Sequence, residues 1–247
     1  APVFMVGLSA AFDWRVAYMG AALLFVGIFA LLLWQRDVLH AEVVNHKQTT
    51  DASSTMDFLK IPVVWWCFGF FFLSTMTLAV VQSFAVSILQ ALHQVTFEAA
   101  TFTLTAYMLC AAAGMFVGGF VAARWPIYSD KVVAACMTAA AVLMALCGSG
   151  LFGADLTMVI LAATGLAIGI GGPSRDMMIK KATPKGATGR VYGMVYSGLD
   201  VGFAVSPLIF GVFMDHGWYG ATLLGAAFVL LLSVWVALGV GRRTVAH

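Results

Sequence analysis

Charged residues are scarce in this sequence. Asp, Glu, Lys and Arg make up only 10% of the 247 residues, whereas 62% are hydrophobic and the mean hydropathy is +0.97. A soluble domain has roughly a quarter charged residues, so this composition excludes a soluble globular protein. We predict an all-α, polytopic helical membrane protein. No polar segment is long enough to build a basic, aromatic-rich face, which excludes nucleic-acid binding.

Motifs for metals and nucleotides are missing as well. The four cysteines (Cys67, Cys110, Cys136 and Cys147) lie in apolar runs and match neither a zinc site nor a CxxC redox pair. The five histidines form no HExxH motif, and no P-loop is present. We therefore expect no metal, no cofactor and no enzymatic activity.

The chain begins with an apolar segment, Pro2 to Phe12. It has no charged start and no small-residue cleavage site, so it is not a signal peptide. It is also shorter than the roughly 20 residues that cross a bilayer as a helix. We predict that it is the second part of a helix and that the sequence is a partial chain.

Seven longer apolar segments follow, and each is predicted to span the membrane. They are residues 14–34, 62–89, 99–123, 132–152, 156–173, 191–214 and 218–240. Residues 35–60 are polar and charged, which predicts a soluble linker. The predicted units are therefore a helical end piece (1–34), the linker (35–60), a six-helix unit (61–241) and a tail (242–247).

Basic residues are segregated to one side of these predicted spans. That side holds 12 of the 13 Lys and Arg residues, and the other side holds only Arg15. Because cytoplasmic loops collect Lys and Arg, we predict a cytoplasmic linker and a cytoplasmic C-terminus in a cell (inner or plasma) membrane.

Asp200 is the only charged residue between Val191 and Met214. It lies about 15 Å along a helix from Arg190, and helical spacing places Tyr196 and Ser197 on its face. A carboxylate inside a membrane is costly, so Asp200 is a candidate for solute contact or proton coupling. The alternative is a structural carboxyl group that is hydrogen-bonded to neighbouring helices.

Small residues recur at intervals of four in three of the predicted spans. The sets are Gly198, Gly202 and Ser206; Gly114 and Gly118; and Gly165 and Gly169. This spacing lets helix backbones approach closely, so we predict that these residues lie at helix interfaces.

The two ends of the chain resemble each other. Pro2 corresponds to Pro207, Trp14 to Trp218, and the segment Gly20–Ala22 to Gly225–Ala227. Chance similarity between glycine- and alanine-rich helices is the alternative. A parallel repeat of this kind is expected in transporters that consist of two like-oriented halves.

These features together resemble the C-terminal portion of a major facilitator superfamily transporter. They are the position of the linker, the repeat, and the spacing Gly198-x3-Gly202-x4-Pro207-x3-Gly211. The family's short-loop motif is degenerate here, with Ala123 before Arg124 where the family has Asp. The resemblance implies that residues 1–34 end the first half, from the end of its fifth helix through its sixth, and that residues 61–241 form the second half.

The resemblance implies secondary active transport of a small organic solute by alternating access, with proton coupling favoured. Gln82, Tyr107 and Tyr196 would supply hydrogen bonds in a central cavity, or would instead hold helices together. Arg175 and Asp176, at a predicted helix end, would form a gating ion pair, or Arg175 would be a membrane anchor. A seven-helix receptor and a membrane enzyme are the alternatives, although no lysine lies inside a span to carry retinal.

Overall fold

The computed structural model describes residues 14–34, 62–182 and 188–244. This part of the chain is helical and contains no strand, which confirms the predicted all-α class. Its helices are α1 (Trp14–Trp34), α2 (Pro62–His93), α3 (Phe97–Arg124), α4 (Ser129–Gly148), α5 (Ala154–Ala182), α6 (Thr188–Asp215) and α7 (Tyr219–Thr244), with a 3₁₀ turn at Pro126–Tyr128.

The chain divides into two compact units, residues 1–55 and residues 56–247. In the first unit, α1 has the predicted bounds and contains an apolar stretch, Tyr18–Trp34. The second unit holds α2 to α7, and within the described ranges these six helices are long and apolar enough to cross a membrane. The predicted partial helix at Pro2–Phe12, the linker and the last three residues lie outside the described residues.

The six helices of the second unit pack as a chain of neighbours in the order α3, α5, α4, α7, α2 and α6. This order is symmetric between two sets of three helices, α2 to α4 and α5 to α7. When α2 is exchanged with α5, α3 with α6 and α4 with α7, the α2–α6 contact becomes the α5–α3 contact. The same exchange turns the α2–α7 contact into the α5–α4 contact. Each set contains three helices, so the second set begins at the end of the bundle opposite to the one where the first set begins. Corresponding helices of the two sets therefore run in opposite directions, which is an inverted repeat. We call the end with Arg124, Lys131, Lys180 and Lys181 the basic end.

The interface between α6 and α2 depends on residues without bulky side chains. A Cβ atom added at Gly198 would lie 2.8 Å from the carbonyl oxygen of Phe68, and one at Gly202 would lie 2.7 Å from that of Phe72. One turn further, the Ser206 hydroxyl donates a hydrogen bond of 2.8 Å to the carbonyl oxygen of Met76. The predicted packing role of this set is therefore confirmed.

The symmetry-related interface between α3 and α5 uses glycines from both helices. A Cβ atom at Gly114 would lie 2.5 Å from the carbonyl oxygen of Leu166, and one at Gly118 would overlap the carbonyl group of Ile170. On the facing helix, Cβ atoms at Gly165 and Gly169 would overlap the carbonyl oxygens of Tyr107 and Ala111. Both predicted pairs thus lie where the two backbones touch.

Four predicted helix ends are wrong by four residues or more: α2 ends at His93 rather than residue 89, α7 ends at Thr244 rather than residue 240, and the ends of α5 and α4 also differ. We expected α5 to end at Pro173, but it continues to Ala182 with Pro173 inside it. Proline removes one backbone hydrogen bond, yet membrane helices tolerate it, because stopping the helix would leave more backbone groups unsatisfied. We expected α4 to reach Phe152, but it ends at Gly148, and the chain turns at Gly150 with φ +68°.

Most of the segment between the predicted spans 156–173 and 191–214 is therefore helix. Arg175, Lys180 and Lys181 belong to α5, while Lys185 lies outside the described residues. Lys181 also does more than mark topology, because its ammonium group contacts the carbonyl of Pro126 and donates a 2.9 Å hydrogen bond to the Ser129 hydroxyl. It thereby joins the end of α5 to the turn between α3 and α4.

The close approach of α6 to α2 gives a test of this packing. We expect Gly202→Val to lower the free energy of unfolding by about 1–3 kcal/mol, because the new methyl groups collide with the backbone at Phe72 and with Thr75. Gly211→Val is the matched control on the same helix, since nothing lies within 4 Å of a Cβ atom there. Melting temperatures of the purified variants measure both, and equal values would contradict this interface.

Candidate functional site

Continuation of α5 through Pro173 carries two charged residues into the bundle. Arg175 and Asp176 lie on α5 itself, about 10 Å from its last residue at 1.5 Å per residue. The prediction placed them at a helix end, whereas the structure places them two turns inside the helix. Their side chains are 26% and 47% exposed, respectively.

The Arg175 side chain lies on an aromatic ring and beside a carboxylate. Its guanidinium carbon is 4.7 Å from the centroid of the Phe71 ring, which is a cation–π arrangement. Its Nε atom lies 3.5 Å from Oδ1 of Asp176, but neither of these two buried atoms has a hydrogen-bond partner among the described residues. The ion pair is thus confined to one helix.

The aromatic contacts of Phe71 extend to two tyrosine rings on α6. The Phe71 and Tyr196 rings have centroids 5.4 Å apart, and the Tyr192 and Tyr196 rings stack at 5.9 Å with an angle of 18° between their planes. The spacing of four residues places both tyrosines on one face of α6. Arg175 from α5, Phe71 from α2 and the two tyrosines from α6 therefore form one cluster, which we call the Arg175 cluster.

A pocket of about 450 Å³ adjoins the Arg175 cluster at the basic end. Asp176 and Lys180 from α5 and Tyr192 from α6 supply its polar groups, and Pro173 and Met177 contribute apolar surface. The last turns of α3 line its other side with small residues, Gly119, Ala122 and Ala123. Its size is suitable for a small organic molecule.

Asp200 lies on the exposed face of α6. This face also contains Gly193, Tyr196, Ser197, Ala204 and Pro207, as the helical spacing predicted, whereas Gly198 and Gly202 turn toward α2. Asp200 is about 18 Å along the helix from Thr188, close to its middle. Its carboxylate makes no hydrogen bond or ion pair with another described residue, and Ser197 donates its hydroxyl proton to the carbonyl oxygen of Met194 at 2.6 Å.

Gln82 and Tyr107 lie farther from the basic end, beyond the middle of α2 and α3. Gln82 is exposed, but Tyr107 is only 1% exposed and is packed in the core. The Tyr107 hydroxyl is buried without a hydrogen-bond partner in the described part of the bundle. The structure therefore does not bring Gln82 or Tyr107 together with the Arg175 cluster.

The sequence did not indicate Phe71 or Tyr192 as site residues, and it did not indicate that Lys180 lines a pocket. Tyr192 precedes Tyr196 by one helical turn, so its position on the same face was available from spacing alone. Phe71 stands among several phenylalanines in α2, and no local pattern distinguishes it from them. Within the described ranges, no cluster of three or more His, Cys, Asp or Glu residues could hold a metal ion.

Comparison with known proteins identifies one family. Residues 67–246 match the family described as the Major Facilitator Superfamily, which covers more than half of the chain. No curated protein and no solved structure matches the chain significantly. The match favours the predicted transporter over the seven-helix receptor and the membrane enzyme.

The orphaned hydroxyl group of Tyr107 predicts an unusual response to substitution. We expect Tyr107→Phe to leave the melting temperature unchanged or to raise it, because removing an unpaired buried hydroxyl relieves a desolvation cost of about 1–3 kcal/mol. Tyr107→Ala should instead destabilise by about 3–5 kcal/mol through loss of the ring. A lower melting temperature for Tyr107→Phe would mean that the hydroxyl has a partner.

Proposed function

This chain belongs to the major facilitator superfamily, and from that membership we propose that residues 61–241 form the second half of a secondary active transporter. The protein is a multi-pass membrane transporter of the major facilitator type, and members of this family bind small-molecule solutes. We propose that its own solute is a small organic molecule. The single observation that carries this proposal is the family match over the six-helix unit.

We propose that the basic end faces the cytoplasm of a cell whose inner or plasma membrane holds the protein. The exposed cations Arg124, Lys131 and Lys180 support this orientation, because cytoplasmic loops collect Lys and Arg. The short connections at the other end, residues 94–96, 149–153 and 216–218, contain neither residue type. The C-terminus, which follows α7 at the basic end, would then also be cytoplasmic.

We propose that the exposed face of α6 lines the solute pathway. A carboxylate directed at lipid near the middle of the bilayer costs about 2.5–3.5 kcal/mol on insertion scales. Asp200 has no partner among the described residues that would offset this cost. A water-filled pathway between the two halves of a transporter would solvate Asp200 and give Tyr196, Ser197 and Gln82 access to a solute. Tyr107 is left out of this set because its hydroxyl is buried in the core.

Alternating access requires the second half to move as a unit against the first. The close backbone contacts of α2 with α6 and of α3 with α5 support such a rigid unit.

Gating by Arg175 and Asp176 remains a prediction. Because the two residues are neighbours on α5, closing a mouth would require a third group from another helix.

Proton coupling through Asp200 is the sharpest test of this proposal. The protein is reconstituted into liposomes that contain a pH-sensitive dye, and a panel of small organic solutes is screened for proton movement. For a solute that gives a signal, we expect Asp200→Asn to reduce the proton flux at least about tenfold, since an amide cannot carry the proton. The transport of that solute should also become insensitive to an imposed pH gradient.

Asp215→Asn is the matched control, because it makes the same chemical change at the exposed end of α6. It should leave both the proton flux and the pH response within about twofold of the wild type. Asp200→Glu, which restores a titratable group, should recover part of the activity. If Asp200→Asn still accumulates solute in response to a pH gradient, Asp200 is not the coupling group.

A further inference from the structure

The turn between α3 and α4 belongs to the headgroup layer of the bilayer. α3 has 28 residues and is therefore about 42 Å long, whereas the hydrocarbon core is about 30 Å thick. Its two charged ends, at Glu98 and Arg124, thus reach beyond the core. The next apolar span begins at Pro126, so the chain re-enters the membrane directly after the turn.

This turn exposes large apolar and aromatic side chains. Trp125 and Tyr128 are about half exposed, and Ile127 is 78% exposed. Such side chains are unfavourable in water, but Trp and Tyr are typical of the membrane interface, where the apolar ring meets lipid and the polar atom reaches water. The surface of the turn therefore favours contact with lipid.

Two exposed cations flank the turn. Arg124 ends α3, and Lys131 lies in the first turn of α4, with its ammonium group 5.1 Å from the centroid of the Tyr128 ring. Neither cation forms an ion pair with another described residue. The dipole of α4 stabilises the neighbouring Asp130 but disfavours Lys131 at the start of a helix. An anion bound here would offset that cost.

Lys181 of α5 holds the backbone of the turn in place. Its ammonium group contacts the carbonyl of Pro126, lies 3.4 Å from the carbonyl oxygen of Ile127 and donates a 2.9 Å hydrogen bond to the Ser129 hydroxyl. A turn fixed in this way loses little conformational entropy when it binds a ligand.

An apolar strip on α3 leads from Arg124 into the membrane. Phe116, Phe120 and Arg124 follow one another at intervals of four residues, so they lie along one side of the helix. The two phenylalanines are 76% and 69% exposed, and their ring centroids are 6.1 Å apart. A water-soluble anion or an acidic protein segment would not use this strip, whereas the acyl chain of a lipid would lie along it.

We propose that this surface is a binding site for one anionic phospholipid of the leaflet at the basic end. The phosphate pairs with Arg124 and Lys131, because phosphate oxygens accept strong hydrogen bonds from both cations. Trp125 and Tyr128 contact the glycerol region, and an acyl chain packs on Phe120 and Phe116. The assignment does not depend on transport, so a failure of the transport function would leave it unchanged.

Lipid binding to the purified full chain tests the proposal. Melting curves in a neutral detergent are recorded against dioctanoyl phosphatidylglycerol, dioctanoyl phosphatidylcholine and glycerol phosphate at constant ionic strength, and apparent Kd values are derived from the shifts. Phosphatidylglycerol should bind at least about tenfold more tightly than phosphatidylcholine, because only the former has a net negative charge. It should also bind at least about tenfold more tightly than glycerol phosphate, which has no acyl chain.

Variants in the same assay test the residues. Arg124→Gln and Lys131→Gln should each weaken the binding of phosphatidylglycerol about fivefold and change that of phosphatidylcholine by less than about twofold. Arg124→Lys keeps the charge and should retain the preference, which covers the case in which a glutamine variant does not fold. Phe120→Ala should weaken the binding of both lipids, because it removes apolar contact that they share.

Arg15→Gln is the matched control, since it removes one exposed positive charge from the separate unit of residues 1–55. It should change neither Kd by more than about twofold. Equal affinity for the two lipids would overturn the proposal. A preference for phosphatidylglycerol that survives the combined Arg124→Gln and Lys131→Gln changes would place the anionic lipid elsewhere. If glycerol phosphate binds as tightly as phosphatidylglycerol, the site takes a free phosphate and not a lipid.

Discussion

Contact between helix backbones is the constraint on which the six-helix unit depends. In a bilayer, burying apolar side chains gives little driving force, because lipid tails are as apolar as leucine. Attraction must come from close van der Waals contact, and only small residues permit it. The α2–α6 and α3–α5 interfaces meet this requirement with the same device at symmetry-related places, glycines whose Cα atoms face the carbonyl groups of the partner helix.

These glycine contacts also determine which helix faces stay exposed and are available for a functional role. On α6, the small residues that contact α2 occupy one side, so the side with Tyr196 and Asp200 is left exposed. On α5, the glycines that contact α3 lie before Pro173, and Arg175 and Asp176 follow it by less than one turn. Packing residues and polar residues therefore share the same helices but are kept apart, on different sides of α6 and in successive parts of α5.

Residue spacing in the sequence predicted the features that depend on one helix alone, namely which residues share a face and which small residues lie at an interface. The spacing of Gly198, Gly202 and Ser206 was enough to identify an interface, and helical spacing correctly grouped Ser197 and Asp200 on one face. The end of α5 was wrong because proline and charge usually stop a helix in water, whereas a membrane makes stopping costly. The contact between Phe71 and Tyr196 joins distant parts of the chain, and no local pattern encodes it.

The positions of the charges also bear on how a solute and a proton would travel together. Arg175 lies about 10 Å from the end of α5, and Asp200 lies about 18 Å from the start of α6 at the same end of the bundle. A solute with one negative charge, moved in the same direction as one proton bound at Asp200, would transfer no net charge. Such a cycle would respond to a pH gradient but not to membrane potential, because potential acts only on net charge moved.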